Sequence, residues 1–165
     1  MIEPDKVIDA LVMDRNLVLR FFATFSRFEY SLKRSGFLKH GNKAEPNWDE
    51  YATSLRAKFL QVQDSVFQDA VAFLLKEPPK TQVVSEHNLD WKPTSLATGE
   101  DHETYVLRVV RTVRNNLFHG GKFPTPVGAM EDVGRNRRLL EASILVLHQC
   151  LQLCPKLRAV FEETA

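Results

Sequence analysis

Cationic side chains and a histidine concentrate in a short segment of this 165-residue chain, between Arg108 and His119. Arg111, Arg114 and Asn115 lie between these two residues. Guanidinium groups bind phosphate oxygens through paired N–H donors, and an imidazole can accept or donate a proton near neutral pH. Reaction at a phosphate uses both, because negative charge builds on the phosphorane oxygens while a proton moves. The segment therefore indicates phosphoryl chemistry or anion binding.

The spacing places these side chains on one side of a helix. At 100° per residue, four of them share an arc of about 80°: Arg108, Arg111, Asn115 and His119. Arg114 lies on one flank of that arc, and a plain solvated helix face would present a similar pattern. Asn115 and Asn116 are mediocre helix formers, so two of them in succession favour a role beyond helix formation.

The segment Arg114 to His119, RNNLFH, is followed by GGK and resembles the R-x4-6-H signature of the HEPN superfamily, including the polar residue directly after the arginine. A second segment at 27–33, RFEYSLK, resembles a pattern common near the start of such domains. The resemblance extends from about residue 15 to 150, with these two segments as its distinctive parts. Some toxin members carry a modified tyrosine two residues after the histidine, where this chain has Gly121.

The resemblance implies an all-α, up-and-down bundle of four to five helices that forms a homodimer, with two copies of the motif lining one cleft. It implies a metal-independent endoribonuclease that leaves 2′,3′-cyclic phosphate and 5′-hydroxyl ends, in prokaryotic defence, stress or toxin–antitoxin systems. His119 would move the proton of the ribose 2′-hydroxyl or of the leaving oxygen, and Arg114 would hold the scissile phosphate. Asn115, Arg111 and Glu29 would support them, with Glu29 orienting Arg114 from the first helix. The alternative is a non-catalytic module that binds nucleotides or a protein partner.

Further cations are candidates for contact with the RNA backbone. Lys122 and Arg108 flank the motif, and a basic run follows with Arg135, Arg137 and Arg138. A solvated helix face competes with this interpretation of the run, because Glu131 and Glu141 stand at helical pairing distance. No cofactor is predicted, since Walker A, G-x-G-x-x-G and G-x-S-x-G patterns are absent from the sequence. The other histidines have no metal-ligand spacing: His40, His87, His102 and His148.

Helices must position these residues. Apolar residues recur every three to four positions over five segments, numbered 5–35, 48–76, 98–119, 130–153 and 155–163. Gly36 is predicted to end the first helix, and Gly120-Gly121 to end the helix that carries the motif. The segment 77–99 reads as a long loop that is functional or mobile, or that contains an unrecognised short helix, with a brief extended piece at Val83-Val84.

Composition favours one globular domain over 1–165. The chain is 44% hydrophobic and 26% charged, and its formal charge of +1 gives no overall positive field to attract RNA. Binding of a polyanion would therefore require a local cluster of positively charged side chains. No membrane span or signal peptide is predicted, so a cytoplasmic protein is expected. Cys150 and Cys154 are expected to be small buried hydrophobes. The phenylalanines at helical spacing are expected to form core or dimer interface in preference to base-stacking platforms: Phe21, Phe22, Phe25 and Phe28.

Overall fold

The protein is described here by a computed structural model covering residues 3, 5–6, 13–119 and 133–163. It is mostly helical, which confirms the expected all-α character, and it adds one small two-stranded sheet. The described helices are α1 (Arg15–Arg34), α2 (Trp48–Phe59), α3 (Ser65–Lys76), α4 (His102–Phe118), α5 (Val133–Leu153) and α6 (Pro155–Glu162). The strands are β1 (Thr81–Ser85) and β2 (Asn88–Lys92). No described helix combines the length and apolar character needed to cross a bilayer.

Side-chain caps divide the predicted long helices. Asp14 accepts the Leu17 N–H at 2.7 Å and starts α1, so the helix expected over 5–35 is not continuous. Asp64 likewise accepts the Phe67 N–H at 2.7 Å and starts α3, so the helix predicted over 48–76 is two helices. Apolar periodicity persists across the second break and cannot reveal it, whereas an aspartate at an N-cap stabilises a new start.

The joint between α1 and α2 agrees with the prediction. Ser35 ends α1, and Gly36 follows with φ of +90°, a left-handed conformation that glycine adopts without a Cβ penalty. A bridge between Leu38 and Pro46 closes the connection, and Asn47 caps α2 by accepting the Glu50 N–H at 3.2 Å.

The segment 77–99 contains a β-hairpin. β1 pairs antiparallel with β2, which confirms the extended piece at Val83-Val84 and replaces the expected loop. The two-residue turn, Glu86 and His87, has φ of 47° and 67°, a conformation that Asn-Gly normally supplies. Because the turn contains no glycine, the usual sequence signal for a hairpin is missing.

The helix with the motif starts later than Thr98. Asp101 occupies its N-cap with an extended backbone, and Gly99 has φ of +77°, which a right-handed helix cannot continue through. The Glu100 carboxylate accepts the Ala97 N–H at 2.9 Å. The residues from Ala97 to Glu100 therefore form a non-helical turn before α4 begins. The predicted start of the next helix at Met130 lies outside the described residues, and the C-terminal helix is confirmed.

The core lies between the helices, with α5 packed against α1 and α3, and α2 packed against α4. Tyr51 is fully buried and its hydroxyl donates to the Cys150 carbonyl at 3.0 Å. Burial raises the pKa of the Cys150 thiol, which fits the expected role as a small core residue; Cys154 is half-buried. Arg27, in the RFEYSLK segment, donates to the Val160 and Phe161 carbonyls and so stabilises the end of α6.

Candidate functional site

The predicted motif forms the C-terminal end of α4. Phe118 is the last helical residue, and His119 is the C-cap, its backbone N–H donating to the Asn115 carbonyl at 2.9 Å. The side chains of His119 and Asn115 are exposed and Arg114 is half-buried. The expected position of His119 at the helix end is confirmed, and an imidazole, an amide and a guanidinium meet solvent within two turns.

Arg114 is held by uncharged neighbours. Its Nη1 donates to the Asn115 Oδ1 at 3.0 Å, and its guanidinium carbon lies 5.6 Å from the Phe25 ring centre and 5.4 Å from that of Phe118. Across the described ranges no carboxylate pairs with Arg114. Rings and an amide fix the guanidinium without cancelling its charge, so an anion could bind without first displacing an acidic partner.

Arg111, one turn earlier, lies over the same aromatic cluster. Its guanidinium carbon is 6.0 Å from the Trp48 ring centre, and Trp48 stacks on Phe25 at 5.5 Å. Asp49 lies 3.9 Å from Arg111, but the Asp49 side chain is 76% exposed, and an ion pair this exposed contributes little. Arg111 and Arg114 thus extend from α4 over rings supplied by α1 and α2.

Glu29 contacts the cluster at a different point from the predicted one. Its carboxylate accepts a hydrogen bond from the Trp48 indole Nε1 at 3.1 Å, and no hydrogen bond between Glu29 and Arg114 occurs within the described part of the chain. Glu29 therefore fixes the ring beneath Arg111. Sequence reasoning missed Trp48 as a site residue, because its link to Glu29 spans 19 positions and two helices. Its position in an apolar stripe indicated only core.

Arg108, although on the same helix, faces a carboxylate. It donates to Glu100 through Nε at 2.8 Å and Nη2 at 2.6 Å, and to the Ser95 carbonyl at 2.8 Å. The hydrogen bond from Arg108 lowers the pKa of Glu100. This arginine, predicted to bind RNA, anchors the segment that enters α4.

The predicted RNA contacts on α5 also have intramolecular partners. Arg135 donates to the Glu77 and Pro78 carbonyls at 3.0 and 2.8 Å, and Arg137 pairs with Glu141 at 2.8 Å. The Arg138 guanidinium lies 4.1 Å above the Phe73 ring centre. Lys122 lies outside the described residues. The structure therefore brings Arg111, Arg114, Asn115 and His119 to one part of α4, and engages Arg135 and Arg137 elsewhere.

Asn116 has a structural role that the sequence did not indicate. It is buried, and its amide donates to the Lys80 carbonyl at 2.7 Å, holding the base of the hairpin against α4. Of the two unusual asparagines, Asn115 therefore serves the exposed motif and Asn116 serves the fold. They face different surroundings because consecutive residues are separated by 100° around the helix.

The described residues include no cluster of three or more His, Cys, Asp or Glu side chains arranged to hold a metal ion. Comparison of the chain with protein-family models, with curated proteins and with solved structures finds no match.

Proposed function

We propose that this protein is a metal-independent endoribonuclease that acts as a homodimer. The observation that carries the proposal is the end of α4, where Arg114 is fixed by ring faces and Asn115 and has no carboxylate partner in the described chain. The exposed His119 lies within two turns of it. The resemblance of RNNLFH to the HEPN signature supports the reaction and the dimer.

The reaction begins at a ribose 2′-hydroxyl. His119 accepts the hydroxyl proton as the 2′-oxygen attacks the adjacent phosphorus, and the bond from phosphorus to the 5′-oxygen breaks. The leaving 5′-oxygen takes a proton from an imidazolium, so the products are a 2′,3′-cyclic phosphate and a 5′-hydroxyl. A homodimer brings two imidazoles to the cleft, one to accept the proton and one to donate.

The arginines stabilise the charge that develops on phosphorus. Arg114 binds the nonbridging oxygens of the scissile phosphate, and its hydrogen bond to Asn115 keeps the guanidinium in place. Arg111, over Trp48, binds the same or a neighbouring phosphate. Because ring faces already restrict both side chains, little conformational entropy is lost when the phosphate binds.

The resemblance also supports a biological setting in prokaryotic defence, stress or toxin–antitoxin systems, with an antitoxin or another regulatory protein as partner. Gly121 stands where some toxins carry their modified tyrosine, so control through that modification is not proposed.

Incubation of the purified protein with total tRNA and a mixed-sequence RNA in EDTA tests the proposal. We expect cleavage by the wild type, with the stated ends, and none by His119→Ala. Arg158→Ala is a matched control, because it removes an exposed arginine that pairs with Glu162 on α6. If the folded dimer binds RNA or nucleotides without cutting RNA, the endoribonuclease proposal is wrong and a non-catalytic binding module is favoured.

A further inference from the structure

An aromatic pair borders the candidate site. The rings of Phe22, on α1, and Phe118, at the end of α4, have centres 5.3 Å apart and are inclined at 42°. Their exposed fractions are 45% and 44%, whereas Phe21, Phe25 and Phe28 are buried as expected. Phe22 therefore lies outside the core of the protomer, and the two rings together present an aromatic surface to solvent.

This surface is continuous with the candidate phosphate site. Phe118 contacts both the Arg114 guanidinium and the Phe22 ring, and it directly precedes His119. In a nucleotide, the base and the phosphate are separated by a single ribose. A phosphate on Arg114 therefore brings the base of the same or the adjacent nucleotide within reach of the two rings.

We propose that Phe22 and Phe118 form a subsite that stacks a nucleobase beside the phosphate held by Arg114. The inference rests on the proposed function. Bases in a duplex are already stacked and paired, whereas bases in single strands and loops can be turned out onto aromatic side chains. Stacking accepts any base, because every base has a π-face, so the pair selects for strandedness more than for sequence.

A nucleobase suits the surroundings better than a protein surface does. Arg114 contacts Phe118 and hydrogen-bonds Asn115, and the exposed His119 directly follows Phe118 in the chain. A cation and polar groups next to ring faces are typical of single-strand binding sites. Leu19, one turn before Phe22 on α1, is 63% exposed, so its substitution distinguishes an apolar protein contact from base stacking. An apolar protein contact here would use Leu19 as well as the rings, whereas base stacking needs only the rings.

The test uses the His119→Ala protein, so that RNA stays intact, and short unpaired RNAs carrying 2-aminopurine at successive positions. We expect binding to quench the fluorescence at one position through stacking. Phe118→Leu and Phe22→Leu, added singly, should remove the quench and weaken binding by about 5- to 150-fold. Phe118→Tyr should retain both signals, and Leu19→Ala should leave both unchanged.

Salt dependence separates stacking from phosphate binding. Adding Arg114→Ala should reduce the slope of log affinity against log salt, whereas Phe22→Leu should lower affinity at an unchanged slope. Phe22 is the cleaner of the two ring variants, because Phe118 also contacts Arg114.

Unchanged quenching and affinity in both leucine variants would overturn the inference, even if the wild type cleaves RNA. Loss of dimerisation in Phe22→Leu and Leu19→Ala alike would also overturn it, and would identify a protein interface. Failure of the proposed function is recognised separately, as absence of cleavage by the wild type while position-specific quenching persists.

Discussion

Arg108 and Arg114 lie on the same helix, less than two turns apart, and have opposite environments. Arg108 makes two hydrogen bonds to Glu100, whose side chain is 10% exposed, and one to the Ser95 carbonyl. Arg114 contacts two phenylalanine rings and one amide. The charge of the first arginine is compensated by Glu100, whereas the second has no carboxylate partner among the residues that the structure describes. Residue type and helical spacing alone do not distinguish an anchor from a ligand-binding group; the neighbouring elements do.

The largest expected effect is a difference in RNA cleavage between alanine variants of the two arginines. Arg114→Ala should lower the rate of RNA cleavage by about 100-fold or more, because transition-state charge loses its principal donor, while Arg108→Ala should change it by only a few-fold. Single-turnover rates on one RNA, measured for both variants, check the prediction. Equal losses in the two variants would mean that the arginines act together on the substrate.

The order of effects should be reversed for stability, where Arg108→Ala is compared with His119→Ala at the candidate site. Arg108→Ala should lower the free energy of unfolding by about 1–3 kcal/mol, because it leaves the mostly buried Glu100 carboxylate without its guanidinium. His119→Ala, at an exposed helix end, should change the free energy of unfolding by about 0.5 kcal/mol or less. Urea denaturation at neutral pH measures both. A large destabilisation by His119→Ala would contradict its assignment to the site.

Substitution of Glu29 tests whether the Trp48 ring beneath Arg111 contributes to cleavage. Glu29→Ala removes the acceptor of the Trp48 indole N–H, and we expect cleavage to fall by about 2- to 10-fold, the value of one hydrogen bond. Glu29→Gln, which keeps a carbonyl acceptor, should restore most of the rate. A loss in Glu29→Gln as large as that in Glu29→Ala would show that the carboxylate charge matters, as a direct role toward Arg114 would require.

The smallest effect is a pH dependence of stability. Arg108 holds the pKa of Glu100 below its ordinary value of 4.5, so the folded state favours the carboxylate. This contribution is fully present above pH 4.5 and is lost as the pH falls through the lowered pKa of the folded protein. Unfolding measured between pH 6 and pH 3 should therefore depend less on pH in Arg108→Ala than in the wild type. Identical profiles would refute this coupling.

Local patterns predicted the helical character and the position of His119. The three- to four-residue apolar period predicted a mostly helical chain, Gly36 marked the end of α1, and the motif at the end of one helix located the candidate site. Asp14 and Asp64 were equally visible, but an aspartate at an N-cap and one on a solvated helix face look the same in sequence.

The parts that could not be predicted depend on contacts distant in the chain. The Trp48–Glu29 bond spans 19 residues, and the bond from Asn116 to the Lys80 carbonyl spans 36. Half-exposure of Phe22 has the same origin, since its place in an apolar stripe gives no information on whether another helix covers it. Which arginines are compensated is likewise decided by tertiary packing.

A substrate lacking one oxygen tests the central claim most directly. An RNA oligonucleotide that the wild type cleaves in EDTA is compared with the same oligonucleotide carrying a single 2′-deoxyribose at the nucleotide 5′ to the cut. The account predicts that the all-ribose RNA yields 2′,3′-cyclic phosphate and 5′-hydroxyl ends and that the substituted position is not cut. Cleavage at the deoxyribose, or no cleavage of any all-ribose RNA by the intact dimer, would contradict it.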